Sequence, residues 1–208
     1  MATAFLALVP AAGASAASPA ELPPTLSASA AAWQLKRLTV AEAGSMAGYS
    51  RARFPHWAGQ GERCDTREIV LVRDGQDVKQ DESCRAISGT WYSEYDGKTF
   101  TNARDLDIDH MVPLAQAWRS GANEWTDAQR KRFANDLEGP QLIAVSAASN
   151  RSKGDQAPDQ WRPPRRSYWC VYSRAWIDVK SRYGLTITET ERDALGEMVA
   201  TCHGPNGR

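Results

Sequence analysis

The chain carries three histidines, and one of them stands in the stretch LDIDHMVPLAQAW, Leu106 to Trp118, beside Asp107 and Asp109 on an otherwise apolar strand pattern. A carboxylate is a hard oxygen ligand suited to Mg²⁺ or Mn²⁺. The adjacent imidazole, with an ordinary pKa of about 6.5, can take a proton from water near neutral pH. Consecutive strand residues point to opposite faces, so Asp109 and His110 cannot both hold one ion from a regular strand. The expected division gives Asp109 to metal and His110 to water, close to a strand end where Pro113 and the helix after it bend the chain.

A second constellation lies in SNRSKGDQAP, beginning at Ser149. Asn150 offers an amide oxygen as a neutral ligand, and Lys153, a helical turn later, shares its face. There its ammonium could meet a phosphate or a developing oxyanion as a point charge. Asn-x-x-Lys alone is common in loops, and its weight comes from pairing with Asp109-His110. The chain has no H-E-x-x-H, which argues against a zinc peptidase.

The elements that must position these residues follow from local patterns. CDTREIVLVRDG reads as a helix opened by Asp65 or Thr66 and closed before Gly75. YSRARF reads as a short helix behind Ser50. Thr90 to Phe100 forms a hairpin candidate around Asp96-Gly97, a dipeptide that tolerates positive φ. DLDIDH alternates with strand period, and Pro113 opens PLAQAWRSGA at a first helical position, with Gly121 at its end. Thr126 caps the next helix, QLIAV is a short buried strand, and Ser146 caps the turn that carries Asn150. SYWCVYSRAWIDVKSRYG is a helix with Ser167 as cap and Gly184 as stop, and Thr188-x-x-Glu191 is a capping box for a last helix. Helices with a few antiparallel strands, and no βαβ alternation, give an α+β domain.

The 208 residues suit one domain, and 25 basic residues balance 25 acidic ones, so any nucleic-acid surface must be a local patch. Arg151, Arg162, Arg165 and Arg166, interleaved with Trp161, Tyr168 and Trp169, supply such a patch for a phosphate backbone and exposed bases. The competing reading is structural: Trp169 and Trp176 fit a core face, and arginines often cover a helix. Residues 1–32 read as a signal peptide or disordered Ala-Ser-Pro leader, with a small-x-small cleavage site at Ala14-Ser15-Ala16 but no basic n-region, ahead of a single domain over 33–208. No stretch approaches a membrane span. Four cysteines without a C-x-x-C admit three pairings. The local ones, Cys64–Cys84 and Cys170–Cys202, are favoured over the crossed pairings and over four buried thiols, and they suit an exported protein. His56 in FPHW reads as a packed or hydrogen-bonded histidine rather than a ligand, and Asp107 as an acid that could simply bond Arg104.

The ordered series Asp109-His110-x-x-Pro113, a helical insertion, QLIAV and SNRSKGDQAP resembles the HNH, or ββα-metal, nuclease motif. From about Tyr49, with CDTRE, FAND, NRSKGD and the later Trp and Pro-Pro also in place, the chain is similar to secreted actinobacterial HNH endonuclease proteins related to the C-terminal domain of GmrSD restriction enzymes. The resemblance implies an HNH core over about 90–165 with additional helices and a β-hairpin. It implies His110 as general base, Asp109 and Asn150 as ligands of one Mg²⁺ or Mn²⁺, Lys153 as a phosphate contact, and DNA, or alternatively RNA, as substrate. The sequence does not settle the oligomeric state, for which a monomer is the expectation. The middle Asn of the pattern falls at Gln141, which either substitutes or marks a lost orienting role. A third ligand is unassigned, with Asp107 and Asp155 as candidates, and Arg67 could brace the site from behind. The rival to a secreted endonuclease is a secreted binding module for a cell-wall or polyanionic ligand on a degenerate HNH scaffold.

Overall fold

In the computed structural model, which describes residues 23–203, Ser27 accepts the Ala30 N–H and opens helix α1 (Ala28–Leu35). This helix crosses the boundary expected at Trp33, and the cleavage site at Ala14-Ser15-Ala16 lies outside the described residues. A 3₁₀ turn (Arg51–Arg53) and a small ribbon of β1 (Gly59–Gly61) and β2 (Cys64–Asp65) lead to α2 (Thr66–Asp74), where Asp65 caps the Glu68 N–H at 3.0 Å.

Gly75 closes α2 as expected, but the chain then continues directly into β3 (Gly75–Gln80), a strand not anticipated from its polar sequence. Its pairing is carried by backbone, antiparallel to β4 (Ala86–Ser93), which turns at Gly97 (φ 72°) into β5 (Lys98–Phe100). A side chain at Gly75 would meet the Trp91 ring nitrogen at 2.4 Å, so glycine is required where α2 meets this sheet.

The centre of the fold is a two-stranded antiparallel ribbon of β6 (Leu106–His110) and β7 (Leu142–Ser146), followed at once by α5 (Ala147–Lys153). Between the strands lie α3 (Leu114–Arg119) and α4 (Asp127–Ala134), the latter held by the Thr126–Gln129 capping box. After α5 come α6 (Trp169–Arg182) and α7 (Glu189–Ala200), the second opened by the expected Thr188–Glu191 box. Ser167 does not cap α6. It sits inside a 3₁₀ turn (Arg166–Tyr168), whose approach is pinned by the Arg165 N–H donating to the Tyr95 carbonyl.

The ribbon has a hydrophobic core on each side, as an alternating strand pair covered on both faces must. Leu106, Ile108, Leu142 and Ala144 pack with Val70, Leu71 and Trp91, whereas Ile143 and Val145 join the larger helical core around Phe133, Tyr172 and Trp176. The free edge of β7 is satisfied by side chains: Asp74 accepts the Ala144 N–H at 2.8 Å and Ser93 the Ser146 N–H at 3.0 Å. The architecture is α+β, and no helix among the described residues is long and apolar enough to cross a membrane.

Both local disulfides form, Cys64–Cys84 joining β2 to the β3–β4 turn and Cys170–Cys202 joining the start of α6 to the 3₁₀ turn (Thr201–His203) that follows α7. Replacing Cys170 and Cys202 by alanine is expected to lower the unfolding free energy by roughly 3 to 4 kcal/mol, because the bridge closes a loop of 32 residues. Urea denaturation of the oxidised double variant beside wild type measures it, and equal midpoints would rule the effect out.

Candidate active site

The ribbon sorts the acids from the histidine by strand period. Asp107 and Asp109 pair across to Val145 and Ile143, on the side of the helical core, while Ile108 and His110 point the other way. Asp109 is only 4% exposed, and a carboxylate there needs partners. It has them: Lys153 Nζ donates to Oδ1 at 2.9 Å and Oδ2 at 2.7 Å, and the Tyr95 hydroxyl donates to Oδ2 at 2.6 Å. Burial pushes the Asp109 carboxyl up and the Lys153 amine down, and their contact opposes both shifts.

Lys153 is therefore not placed as a phosphate contact. It is fully buried, and beyond Asp109 its ammonium donates to the carbonyls of His110 (2.8 Å) and Met111 (3.1 Å). The helical turn that brings Asn150 to the surface turns Lys153 inward, where it ties α5 to the end of β6. A carboxylate has about four acceptor positions. Three are filled at Asp109, which leaves one on Oδ1.

His110 lies on the opposite face against Trp57, with ring centroids 5.7 Å apart, and is 4% exposed. Its Nε2 is 3.0 Å from the Ala134 carbonyl at the end of α4. A carbonyl only accepts, so Nε2 carries the proton and Nδ1 the lone pair. Burial pushes the His110 pKa down to about 3, with the Arg51 charge acting in the same direction, so the ring is neutral. Negative charge brought close to it would act in the opposite sense.

Gln141 is completely buried, and its side chain pairs with both backbone groups of Val112: Oε1 accepts the N–H at 3.1 Å and Nε2 donates to the carbonyl at 3.0 Å. The Gln141 carbonyl also takes the Met111 N–H at 2.7 Å. The backbone immediately after His110 is thus clamped by the Gln141 side chain, the residue expected from the resemblance either to orient the site or to mark that role as lost.

A cleft of about 270 Å³ opens over this region, lined by Arg51, Asp109, His110, Asn150, Arg151 and Asp155 together with Tyr49 and the Pro113–Ala115 segment. Asn150 Nδ2 donates to Asp107 at 3.1 Å, leaving its amide oxygen free to act as a ligand, and Asp107 stands 3.6 Å from Arg151 rather than against Arg104. Asp155 is bonded to Arg119 at 3.0 Å. No group of three or more His, Cys, Asp and Glu able to hold a metal occurs among the described residues. The donors that are present, carboxylate and amide oxygens, are those a hard divalent ion takes when water and substrate complete its shell.

The remaining expected residues are spread more widely. Arg67 braces α2, donating to Glu68 and to the Ala103 carbonyl just before β6, not to the cleft. Arg162 pairs with Glu197 and Arg165 with Glu94, while Arg162 and Arg166 both lie over the Trp169 ring. Of the four arginines in the expected patch, only Arg151 lines the cleft. Three contributors were not read from sequence. Tyr95 reads as a hairpin aromatic, Arg51 as part of a short helix, and the Ala134 carbonyl has no signature in a residue type at all.

A family model described as "GmrSD restriction endonucleases, C-terminal domain" matches residues 69–198. The chain is also 55% identical over 186 residues, covering 89% of it and 91% of the relative, to an "Uncharacterized secreted protein" of the fungus Arthroderma benhamiae, so the resemblance reaches beyond actinobacteria. No solved structure matches.

Removing the amine at Lys153 leaves Asp109 a buried charge without its counter-ion. Lys153→Met is expected to cost about 3 to 5 kcal/mol of stability. Adding Asp109→Leu should recover most of it, and a double-mutant cycle in urea measures the coupling. A single-variant cost of about 1 kcal/mol or less, typical of a surface pair, would show that this contact does not hold α5 to β6.

Proposed function

Because the chain belongs to the family of GmrSD restriction endonuclease C-terminal domains, we propose that it is an exported, divalent-metal-dependent HNH endonuclease hydrolysing phosphodiester bonds of DNA with little sequence preference. The observation that carries this reading is the neutral His110, its tautomer fixed by the Ala134 carbonyl, in one cleft with Asp109 and Asn150. Export is supported by the secreted relative and by two disulfides, which persist in oxidising compartments.

His110 is assigned the general base. Its Nδ1 lone pair accepts a proton from water, and the resulting hydroxide attacks phosphorus in line with the 3′ oxygen, leaving a 5′ phosphate. The Ala134 carbonyl holds the ring in that tautomer, and the Gln141 clamp on Val112 fixes the backbone behind it. Asp109 Oδ1 and the Asn150 amide oxygen would hold Mg²⁺ or Mn²⁺, with Asp107 the nearest further carboxylate. When bound, such an ion neutralises charge on the phosphate and on the leaving oxygen. Lys153 becomes a positioning residue: it aims Asp109 and, through the His110 and Met111 carbonyls, sets the strand end. Gln141, the feature that most favours the binding-module alternative, makes with Val112 a clamp that is compatible with an orienting role.

Purified protein incubated with supercoiled plasmid should nick and linearise it in Mg²⁺ or Mn²⁺ and not in EDTA. His110→Ala should be slower by roughly 10²- to 10⁴-fold, while an RNA substrate run in parallel measures the preference. A folded wild type inert under every condition, or a His110→Ala protein as fast as wild type, would sink the nuclease reading.

A further inference from the structure

The cations around the cleft are not equivalent. Lys153 is buried on Asp109, Arg119 is bonded to Asp155, and Arg151 stands beside Asp107. Arg51 lines the same cleft as His110 and Asn150, and makes no ion pair with a carboxylate among the described residues. Among the described residues its one polar side-chain contact leads to a histidine. Arg51 Nε donates to His56 Nε2 at 3.4 Å, and His56 Nδ1 lies 2.9 Å from the Phe54 carbonyl. The carbonyl must accept, so Nδ1 holds the proton and Nε2 is free to receive the guanidinium N–H. This contact uses only Nε. The two terminal nitrogens, an edge that binds phosphate bidentately, are unengaged among the described residues.

The segment carrying Arg51 is rigid for a packing reason. Phe54 is fully buried and touches Tyr49, Trp118 and Phe133, with ring centroids 6.2 to 6.4 Å away, and the Arg53 carbonyl accepts from Arg130. The 3₁₀ turn is therefore fixed at its C-terminal side, and the Phe54–His56 contact fixes the acceptor that holds Arg51. All of it lies upstream of residues 69–198.

We infer that Arg51 is a phosphate-binding residue of the cleft, its guanidinium gripping a non-bridging phosphate oxygen pair of the nucleic acid beside His110, and that His56 is its positioning residue. The inference rests on the nuclease reading and deepens it: the ββα unit supplies base and oxygen ligands, and the Tyr49–Trp57 segment supplies the cation that Lys153 does not.

The test uses the full chain with Arg51→Ala, Arg51→Lys, His56→Ala and His56→Gln. Steady-state cleavage in Mg²⁺ is measured alongside binding of a fluorescein-labelled duplex to the His110→Ala protein across a salt series. Arg51→Ala should lower kcat/KM roughly 10- to 100-fold, the scale of a charge-assisted hydrogen-bond pair. It should also lessen the slope of log Kd on log salt by about one. Its thermal midpoint should stay at the wild-type value, since the side chain is exposed. Arg51→Lys, keeping charge without the fork, should fall between, and millimolar guanidinium should restore part of the Arg51→Ala rate and none of the His56→Ala rate. His56→Gln, which keeps an acceptor, should outperform His56→Ala. A wild type that cleaves beside an Arg51→Ala protein with unchanged kcat/KM and salt slope overturns the Arg51 assignment alone. A folded wild type that neither cleaves nor binds DNA takes the nuclease reading down with it.

Discussion

The buried contact between Lys153 and Asp109 is the constraint on which the rest of this site depends. A lone carboxylate or ammonium at that depth would be driven to its neutral form. Each is made tolerable by the other, with Tyr95 on one side and two backbone carbonyls on the other filling what remains. Such a pair adds little net stability compared with well-packed apolar residues. Its effect is geometric, because it admits only one placement of α5 against the end of β6. Asn150, three residues before Lys153 on the same short helix, is thereby carried to the cleft.

The same strand end is held from its other sides by groups of quite different kinds. Gln141 takes both backbone groups of Val112, and the Ala134 carbonyl fixes the His110 ring. The base proposed at His110 needs its proton-accepting nitrogen in one place and one tautomer, and a helix C-terminus supplies an unsatisfied carbonyl suited to that purpose. This gives the long insertion between β6 and β7 a definite role. Its α3 and α4 fill the helical core and return the chain so that the end of α4 meets the His110 imidazole.

What could be read from sequence was local or periodic. The capping pairs Thr126–Gln129 and Thr188–Glu191, the helix start at Asp65 and the alternation of Leu106 to His110 all express contacts within a few residues. The local disulfides were also legible, and Asp109 and Asn150, singled out through the ordered motif, both line the cleft. The direction of Lys153 was not, because a long amine on a short helix can point outward or inward, and the buried acid that draws it in lies on another strand. Tyr95, Arg51 and His56 come to the site through packing of distant segments, Phe54 on Trp118 and Tyr95 beneath Trp161, which no spacing in the chain records. β3 was missed because backbone pairing at an edge needs no apolar pattern.

The charge at the cleft then follows from where each group ends up. Two arginines, Arg51 and Arg151, and two acids, Asp109 and Asp155, line it, so its formal charge is close to balanced, as is that of the whole chain. Long-range attraction of a polyanion is accordingly weak. Lys153 cancels the Asp109 charge beneath the surface, so the excess left among the lining residues is a single positive charge. If the proposed activity holds, affinity for a phosphodiester arises at short range, from an arginine edge not already committed to a carboxylate and from a cation that the Asp109 and Asn150 oxygens would hold. A site built this way discriminates by geometry at one phosphate rather than by a broad positive field, which suits cutting that ignores base sequence.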